Sequence, residues 1–242
     1  MGELEKLHAR LETLLSLVSH DIRAPLSVMS GAMNELTHPT VGQLNEEQRA
    51  LVGLMRRSIE RLAHLATNLS LLAKLETGHL ELSRQRVDLC ALLRDLVRKD
   101  SSGEDAAAVR VAVEAPAAPV FAVVDPVKIA VAVGNVLSNA RRFAKSEICI
   151  RVVDAGTAAH IVVEDDGHGI PEGKGDVFER LPEGKTAGRS GSGLGLAVVR
   201  GITLAHGGSV RAENRRAEDG SIAGARFELI FPTTDVSSSP AP

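Results

Sequence analysis

The chain has 242 residues, of which 44% are hydrophobic and 24% are charged, a composition typical of one or two globular domains with buried cores. Its formal net charge of −3 provides no strong positive field, which argues against nucleic acid and anionic membrane surfaces as partners. No run of about 18 apolar residues occurs, so the sequence predicts no membrane segment in this chain.

Residues 1–80 are predicted to form two long helices. Apolar residues spaced three and four apart over residues 4–36 indicate the first helix, and a second stripe covers residues 51–75. The stretch 37–45 breaks the pattern, and Gly78 marks the end of the second helix. One helical hairpin cannot cover both sides of these stripes. We therefore predict a homodimer in which two hairpins form an antiparallel four-helix bundle.

The remainder of the chain alternates strand and helix signals, which is typical of a mixed α and β domain. Asp125 followed by Pro126 predicts the start of a long helix, because the carboxylate caps the first turn and proline fits its first position. A stretch rich in glycine and charge over residues 170–190 predicts a mobile loop, and residues 234–242 are predicted to be a disordered tail. The predicted helices cover residues 87–99, 126–143 and 192–205, and the predicted strands cover residues 109–114, 120–124, 147–153, 160–164, 209–213 and 225–231.

Four short motifs follow one another along the chain: SHDIRAPL at residues 19–26, NVLSNARRF at 135–143, EDDGHGI at 164–170 and GSGLGL at 191–196. Each alone is modest evidence, but this order and spacing are hard to obtain by chance. As a set, the motifs resemble those of the sensor histidine kinases of two-component systems, and the resemblance covers nearly the whole chain. It implies a multidomain fold with α and α+β parts. Residues 1–80 would be a dimerisation and histidine phosphotransfer domain built as a dimeric four-helix bundle, and residues 85–233 an α/β sandwich ATP-binding domain of the gyrase, Hsp90 and histidine kinase type.

His20 is the histidine in a reactive setting. On an ideal helix of about 3.6 residues per turn it is rotated by about 200° from Val18, which lies on the apolar stripe, so it points to solvent. A lone surface histidine is usually incidental, but Asp21, Arg23 and Pro25 complete the family's pattern around it. The resemblance implies that His20 Nε2 attacks the γ-phosphate of ATP while Asp21 accepts the proton from Nδ1.

Asn135 and Asn139 lie four residues apart and therefore project from one face of the predicted helix. A polar surface face is the alternative interpretation, which the apolar residues around them disfavour. The resemblance implies that Asn139 binds the Mg²⁺ that bridges the ATP phosphates, with Asn135, Arg142 and Phe143 in the same nucleotide site. Arg142 stands where relatives usually carry lysine, and Phe143 stands where they carry tyrosine. Arginine still neutralises phosphate, although with a different geometry.

Asp165 begins the segment DDGHG, which by residue type alone favours a simple Asp-Gly turn. The resemblance supports a second interpretation, in which Asp165 accepts a hydrogen bond from the adenine amino group. Gly167 and Gly169 would then let the backbone approach the base and the sugar closely, with Ile170 beside them.

Gly191, Gly193, Leu194 and Gly195 open the last predicted helix, an arrangement that directs backbone N–H groups and the helix dipole at phosphates. No Lys-Ser or Lys-Thr pair follows the glycines and no strand leads directly into them, so this segment is not a P-loop. The resemblance places these four residues in the ATP site together with Lys185 of the preceding loop. A solvated lid explains Lys185 equally well.

The predicted activity is that of a protein histidine kinase, which uses ATP and Mg²⁺ to phosphorylate His20 and transfers the phosphoryl group to an aspartate of a response-regulator receiver domain. The predicted location is cytoplasmic, including the cytoplasmic part of a larger membrane-associated sensor. Two alternatives remain open. A serine kinase or ATPase with the same nucleotide fold explains the pocket motifs alone, and a degenerate dimeric scaffold explains departures such as Phe143 and Leu181.

Ala24 lies one helical turn after His20, where relatives with phosphatase activity typically carry Thr or Asn. The polar side chain at that position orients the water that hydrolyses the aspartyl phosphate of the regulator. Because alanine has no hydrogen-bonding group, we predict weak or no phosphatase activity. The alternative is that a neighbouring residue supplies the missing group.

Overall fold

The structure, a computed structural model, describes residues 21–100, 109–171, 176–179 and 193–233. The chain divides into two compact units, Met1–Leu80 and Glu81–Pro242. His20, Lys185, Gly191, the predicted tail and most of the predicted mobile loop lie outside the described residues. Within the described ranges, no helix has the length and hydropathy that crossing a membrane requires.

Two helices make up the described part of the first unit, which confirms the prediction from apolar spacing. α2 begins with a capping box, in which Asn45 Oδ1 accepts the Gln48 N–H (2.8 Å) and Gln48 Oε1 accepts the Asn45 N–H (3.0 Å). It ends two residues before Gly78, which has φ +73°. The elements are α1 (residues 21–36), a 3₁₀ turn (Pro39–Val41) and α2 (Glu46–Glu76).

The apolar residues of this unit divide into a buried and an exposed set in the single chain. Leu26 and Met33 of α1 and Val52 and Leu72 of α2 are at most 8% exposed. Large apolar side chains of the same two helices remain exposed, namely Ile22, Val28, Met29, Leu36, Leu51, Leu54, Met55 and Leu62. Exposed apolar surface of this extent is typical of an interface. The homodimer expected from the sequence would cover it, and that homodimer stays a prediction.

A five-stranded mixed sheet and three helices form the second unit, which confirms the predicted α/β sandwich. The strand order is β2-β4-β5-β7-β6, with β2 and β4 parallel and the other neighbours antiparallel. The elements are β1 (Gln85–Asp88), α3 (Leu89–Asp100), β2 (Arg110–Glu114), β3 (Phe121–Val124), α4 (Pro126–Phe143), β4 (Glu147–Asp154), β5 (Ala158–Asp165), α5 (Leu194–Ala205), β6 (Ser209–Arg216) and β7 (Ile222–Pro232).

The short strand β1 was not predicted. The sequence analysis instead expected the second unit to begin with a helix at residue 87. β1 pairs with β3 in a separate two-stranded antiparallel sheet. The helix starts later because Asp88 Oδ1 accepts the N–H groups of Cys90 (2.9 Å) and Ala91 (3.4 Å), as a helix cap does. Arg86 of β1 lies over the Phe121 ring of β3, 3.8 Å from its centroid, and so stabilises the pairing.

The core of the second unit lies between the five-stranded sheet and the helices. α3 contacts β2, α4 contacts β5, and α5 contacts β6 and β7. Alternate residues of the central strands are buried towards these helices, and the fully buried ones include Ile148, Ile150, Ile161, Leu229 and Phe231. Each such side chain contributes about 1.5–3 kcal/mol of burial free energy. The opposite face of the sheet is charged, since Arg151 forms ion pairs with Glu114 (3.0 Å) and Glu164 (3.4 Å).

His206 ties the end of α5 to the start of α4. Its Nε2 accepts the N–H of Asp125 (2.9 Å), and its Nδ1 donates to the Ile202 carbonyl oxygen (2.8 Å). The Asp125 carboxylate caps α4 and also accepts the N–H of Ser83 (2.9 Å), so one buried network joins three segments. Because one ring nitrogen accepts and the other donates, this network requires a neutral imidazole. Burial lowers the pKa of His206, which favours the same form.

This network predicts that the second unit loses stability in mild acid. Below about pH 6.5 His206 takes up a proton in the unfolded chain but stays neutral in the folded chain. The free energy of unfolding then falls by at most about 1.4 kcal/mol for each pH unit. His206→Gln keeps an acceptor for the Asp125 N–H but cannot titrate. Calorimetry of the full chain should show the wild type more stable than the variant at pH 8, with the difference shrinking towards pH 5. Parallel pH profiles would contradict a neutral buried His206.

Candidate functional site

One face of α4 carries three of the predicted site residues. Asn135, Asn139 and Phe143 lie at successive spacings of four, so they form a row along the helix. Asn135 is 4% exposed, and its Nδ2 donates to the Val131 carbonyl oxygen (3.0 Å), whereas Asn139 is partly exposed. The amide oxygen of Asn139 is therefore the more accessible of the two for a ligand.

The start of α5 packs against Asn135, the first residue of this row. An ideal Cβ at Gly195 would lie 2.8 Å from Asn135 Oδ1, so the two helices approach closely at this point. Gly193 takes the N-cap position with φ +68°, and no side chain in the described ranges caps the helix. Backbone N–H groups at such an N terminus suit a negatively charged ligand.

Asp165 lies at the end of β5 and is only 3% exposed. Its Oδ1 accepts the N–H of Gly167 (2.9 Å) and the N–H of Ala225 (3.3 Å). Its other oxygen, Oδ2, has no hydrogen-bond partner among the described residues. The carboxylate is thus fixed in orientation by one oxygen, and the second can accept a hydrogen bond from a ligand group such as an amino N–H.

Asp166 has a different function from its neighbour. Its carboxylate accepts hydrogen bonds from the N–H of Lys145 (2.8 Å) and from both the N–H and the hydroxyl of Ser146 (3.0 and 2.5 Å). Burial alone would raise the pKa of Asp166, but these hydrogen bonds outweigh it and hold the pKa well below its usual range. Asp166 therefore secures the turn between α4 and β4, and Asp165 is the carboxylate left for a ligand.

An aromatic pair closes the corner between α4 and the segment from Asp165 to Ile170. Phe143 meets His168 edge to face, with 4.9 Å between the ring centroids, and the Arg142 guanidinium lies 5.0 Å from the Phe143 centroid. An ideal Cβ at Gly167 would collide with the Phe143 carbonyl oxygen, so only glycine permits this approach. His168 is thus part of the wall of the predicted site beside Phe143.

Residues of the β6–β7 hairpin complete the wall, and the motifs did not indicate them. Arg215 Nη1 donates to the Asp165 carbonyl oxygen (2.9 Å), and Asn214 hydrogen-bonds the backbone of Ile170. Gly224 packs against the Asp165 backbone so closely that an ideal Cβ would overlap its carbonyl oxygen. One signal was present in the sequence, because Asn214 is a polar residue at an inward position of a strand that otherwise places Val210 and Ala212 there.

The described residues bring most of the predicted site together within the second unit. The set comprises Asn135, Asn139, Arg142, Phe143, Asp165, Gly167, Gly169, Ile170, Gly193, Leu194 and Gly195. Phe178, in the described segment 176–179, is buried edge-on against Phe227 at 6.2 Å, and Asp176 pairs with Arg200 of α5 at 3.0 Å. Asp21 is exposed on α1 of the first unit.

A metal ion at this site would depend on oxygen ligands from few protein groups. Within the described part of the chain, no three His, Cys, Asp or Glu side chains are placed to hold a metal. The partly exposed amide oxygen of Asn139 is the hard donor that the site offers. This donor set fits Mg²⁺, which usually binds one or two protein oxygens together with substrate phosphates.

Two family models match the chain. Residues 10–78 match the His Kinase A (phospho-acceptor) domain, and residues 124–235 match the histidine kinase-, DNA gyrase B-, and HSP90-like ATPase. The first range holds the motif with His20, and the second holds the row on α4 and the segment from Asp165 to Ile170. The matches therefore divide the predicted phosphate acceptor and the predicted nucleotide site between two known domains.

Similar proteins were found among curated sequences and solved structures. The chain is 31% identical over 238 residues to sensor protein ChvG of Rhizobium meliloti (strain 1021), over 93% of this chain and 41% of that protein. It is 31% identical over 219 residues to the sensor-type histidine kinase PrrB of Mycobacterium tuberculosis (strain ATCC 25618 / H37Rv), over 88% of this chain and 46% of that protein. The crystal structure of full-length ShkA in complex with AMPPNP aligns with a TM-score of 0.64 at 26% identity, over 93% of this chain and 47% of that one. The chain thus spans less than half the length of each of these proteins.

Proposed function

Because the chain belongs to the sensor histidine kinases of two-component systems, we propose that it uses ATP to phosphorylate His20 and passes the phosphoryl group to an aspartate of a response regulator. The observation that carries this proposal is the buried Asp165 carboxylate, which one oxygen anchors and the other leaves for a ligand. It lies at one end of a site whose other end is the start of α5. An adenine nucleotide has an amino group and phosphates to match these two ends.

The phosphorylation step requires a neutral His20. Its Nε2 would attack the γ-phosphorus, forming the N–P bond as the bond from phosphorus to the bridging oxygen breaks and ADP leaves. The proton on Nδ1 would pass to the Asp21 carboxylate, which is exposed on α1, and this leaves a phosphohistidine whose imidazole ring is uncharged and whose phosphoryl group is anionic. In the second transfer, the phosphoryl group would move from His20 to a receiver-domain carboxylate.

Within the ATP site each group has a distinct task. Asp165 Oδ2 would accept a hydrogen bond from the adenine amino group, and Gly193, Leu194 and Gly195 would present the N terminus of α5 to the phosphates. The Asn139 oxygen would hold Mg²⁺, which supplies charge neutralisation when it is bound. Arg142 is exposed beside Phe143, where its guanidinium could neutralise phosphate charge further. The roles of Lys185 and Gly191, beyond the described residues, remain those implied by the motifs.

Incubation with γ-labelled ATP tests the proposed function. A phosphohistidine gives label that is lost in acid and retained in alkali, and we expect that pattern in the full chain with Mg²⁺. Label that survives acid would instead indicate a serine kinase. Absence of label, with intact nucleotide binding, would indicate a scaffold that has lost its activity.

Dephosphorylation of the regulator is expected to be weak. Ala24 is exposed on α1 and offers no side-chain hydrogen bond to orient a water molecule. Ala24→Thr adds a hydroxyl at that position and should raise the rate at which phosphorylated regulator loses its phosphate in the presence of ADP, by about tenfold or more. The matched variant Ala24→Val adds similar volume without a hydroxyl and should leave the rate unchanged. A wild-type rate well above the regulator's own hydrolysis would contradict this prediction.

A further inference from the structure

The segment from Asp165 to Ile170 is held at both ends by the hairpin of β6 and β7. At its start, Arg215 Nη1 donates to the Asp165 carbonyl oxygen (2.9 Å), and the Ala225 N–H donates to Asp165 Oδ1 (3.3 Å). At its end, the Asn214 side chain bonds the backbone of Ile170. These partners lie 44 to 60 residues apart in sequence, so the sheet pairing brings them together.

Asn214 makes two complementary hydrogen bonds to a single residue. Its Oδ1 accepts the Ile170 N–H (2.5 Å), and its Nδ2 donates to the Ile170 carbonyl oxygen (2.9 Å). A side-chain amide has both an acceptor and donors, so it can replace the strand partner that Ile170 lacks here. Two bonds fix the orientation of Ile170 as well as its position, which a single bond would not. Asn214 is only partly exposed, which limits competition from water.

The backbone next to Ile170 lies directly against Asn214. Gly169 has φ +74°, and an ideal Cβ there would collide with Asn214 Oδ1 and with Ile222 Cγ2. The register of the β6–β7 pairing shifts just after Arg215, and this shift is a β-bulge. Bulges redirect side chains and are common beside functional sites. The bulge begins one residue beyond Asn214 along β6, at the edge of the predicted nucleotide site.

We propose that Asn214 is a positioning residue of the nucleotide site, which fixes the Ile170 end of the segment so that Asp165 faces the adenine. This proposal rests on the proposed function. Asn214 acts through the backbone of Gly169 and Ile170 and does not contact the nucleotide. The phosphate end of the site, built by α4 and α5, is independent of it. Loss of Asn214 should therefore raise the KM for ATP while kcat at saturating ATP stays unchanged.

Three full-chain variants test this role by calorimetry with AMPPNP and by labelling kinetics. Asn214→Ala removes both bonds and should weaken AMPPNP binding by about tenfold. Asn214→Asp can still accept from the Ile170 N–H but cannot donate to the carbonyl oxygen, so its affinity should lie between wild type and Asn214→Ala. Arg211→Ala, on the exposed face of the same strand, is the matched control and should bind as the wild type does. Hydrogen exchange at the Ile170 amide should accelerate in Asn214→Ala and not in the control.

The outcomes separate the two proposals. A wild-type chain that binds no AMPPNP overturns the proposed function, and with it the role of Asn214 in binding. Wild-type binding together with unchanged affinity in Asn214→Ala overturns only the role of Asn214, as does a loss confined to kcat. If Asn214→Ala does not fold, Asn214→Asp decides the question, and wild-type affinity and KM in that variant overturn the positioning role.

Discussion

Replacing His20 with glutamine is expected to reduce incorporation of the γ-phosphate of ATP into the chain to background. Glutamine has similar polarity, but its amide nitrogen carries no lone pair able to attack phosphorus, so the nucleophile is lost. Nucleotide binding should not change, because the predicted site is built within the second unit and His20 belongs to the first. Labelling at saturating ATP and calorimetry with AMPPNP measure these two properties separately.

His38→Gln is the matched control for this experiment. His38 is an exposed histidine of the same unit, and its Nδ1 contacts only the nearby Thr40 among the described residues. We expect wild-type labelling in this variant. Retained labelling in His20→Gln would remove His20 from the mechanism, whereas loss of labelling in both variants would indicate damage to the helical hairpin.

Asp165→Asn is expected to weaken AMPPNP binding by about tenfold to a hundredfold. The substitution removes a charge-assisted hydrogen bond to the adenine amino group, which is worth about 1.5–3 kcal/mol. The Asn side chain keeps an oxygen for the N–H groups of Gly167 and Ala225, so the fold should persist. The amide nitrogen of the new side chain then takes the position of Asp165 Oδ2. Its N–H groups and the adenine amino group are both donors, so no hydrogen bond forms between them. Calorimetry measures the affinity, and circular dichroism reports whether the fold is intact.

The neighbouring Asp166→Asn provides a closely matched control, since it makes the same chemical change one residue along the chain. The Asp166 carboxylate accepts hydrogen bonds from the N–H groups of Lys145 and Ser146, in the turn between α4 and β4. This variant should lower the melting temperature and leave the affinity for AMPPNP unchanged. Equal loss of affinity in both variants would show that general loosening of the segment, rather than a contact to adenine, explains the effect.

Local signals were sufficient to predict several elements from the sequence. α4 begins at Pro126, as the Asp125–Pro126 start signal predicts, and ends at Phe143, the last residue of the predicted range. The strands β4 and β5 form over the two apolar stretches predicted at residues 147–153 and 160–164. In each case the determining interactions connect residues close in sequence, so a pattern could show them.

Other features depend on contacts between distant segments and were missed or shortened. β1 has only four residues, two exposed and two partly exposed, and its partner β3 lies more than 30 residues further along the chain, so neither periodicity nor a turn indicates it. β6 and β7 extend beyond the predicted ranges to Arg216 and back to Ile222, because the bulge between them interrupts the alternation that a strand pattern requires.

The same distinction applies to the candidate site. Its motif residues, such as Asp165 and Asn139, were found from spacing and family resemblance, and their assignment to ATP stays a prediction. Asn214 and Arg215 were not found, because their importance comes from the register that pairs β7 with β5 and β6 with β7. Sequence patterns can thus indicate the groups that meet a ligand more readily than the groups that hold them in place.

The pairing of β5 with the β6–β7 hairpin has a consequence for synthesis of the protein on the ribosome. Asp165 leaves the ribosome well before β7, which supplies Ala225 to its carboxylate and ends at Pro232. At about 5–20 residues per second, roughly 3 to 13 s separate the emergence of these two points. During that interval the nascent chain has the predicted phosphate acceptor and part of the predicted nucleotide site but not the wall that orients Asp165. The predicted ATP site is therefore completed only once β7 has emerged, when both helices of the first unit are already outside the ribosome.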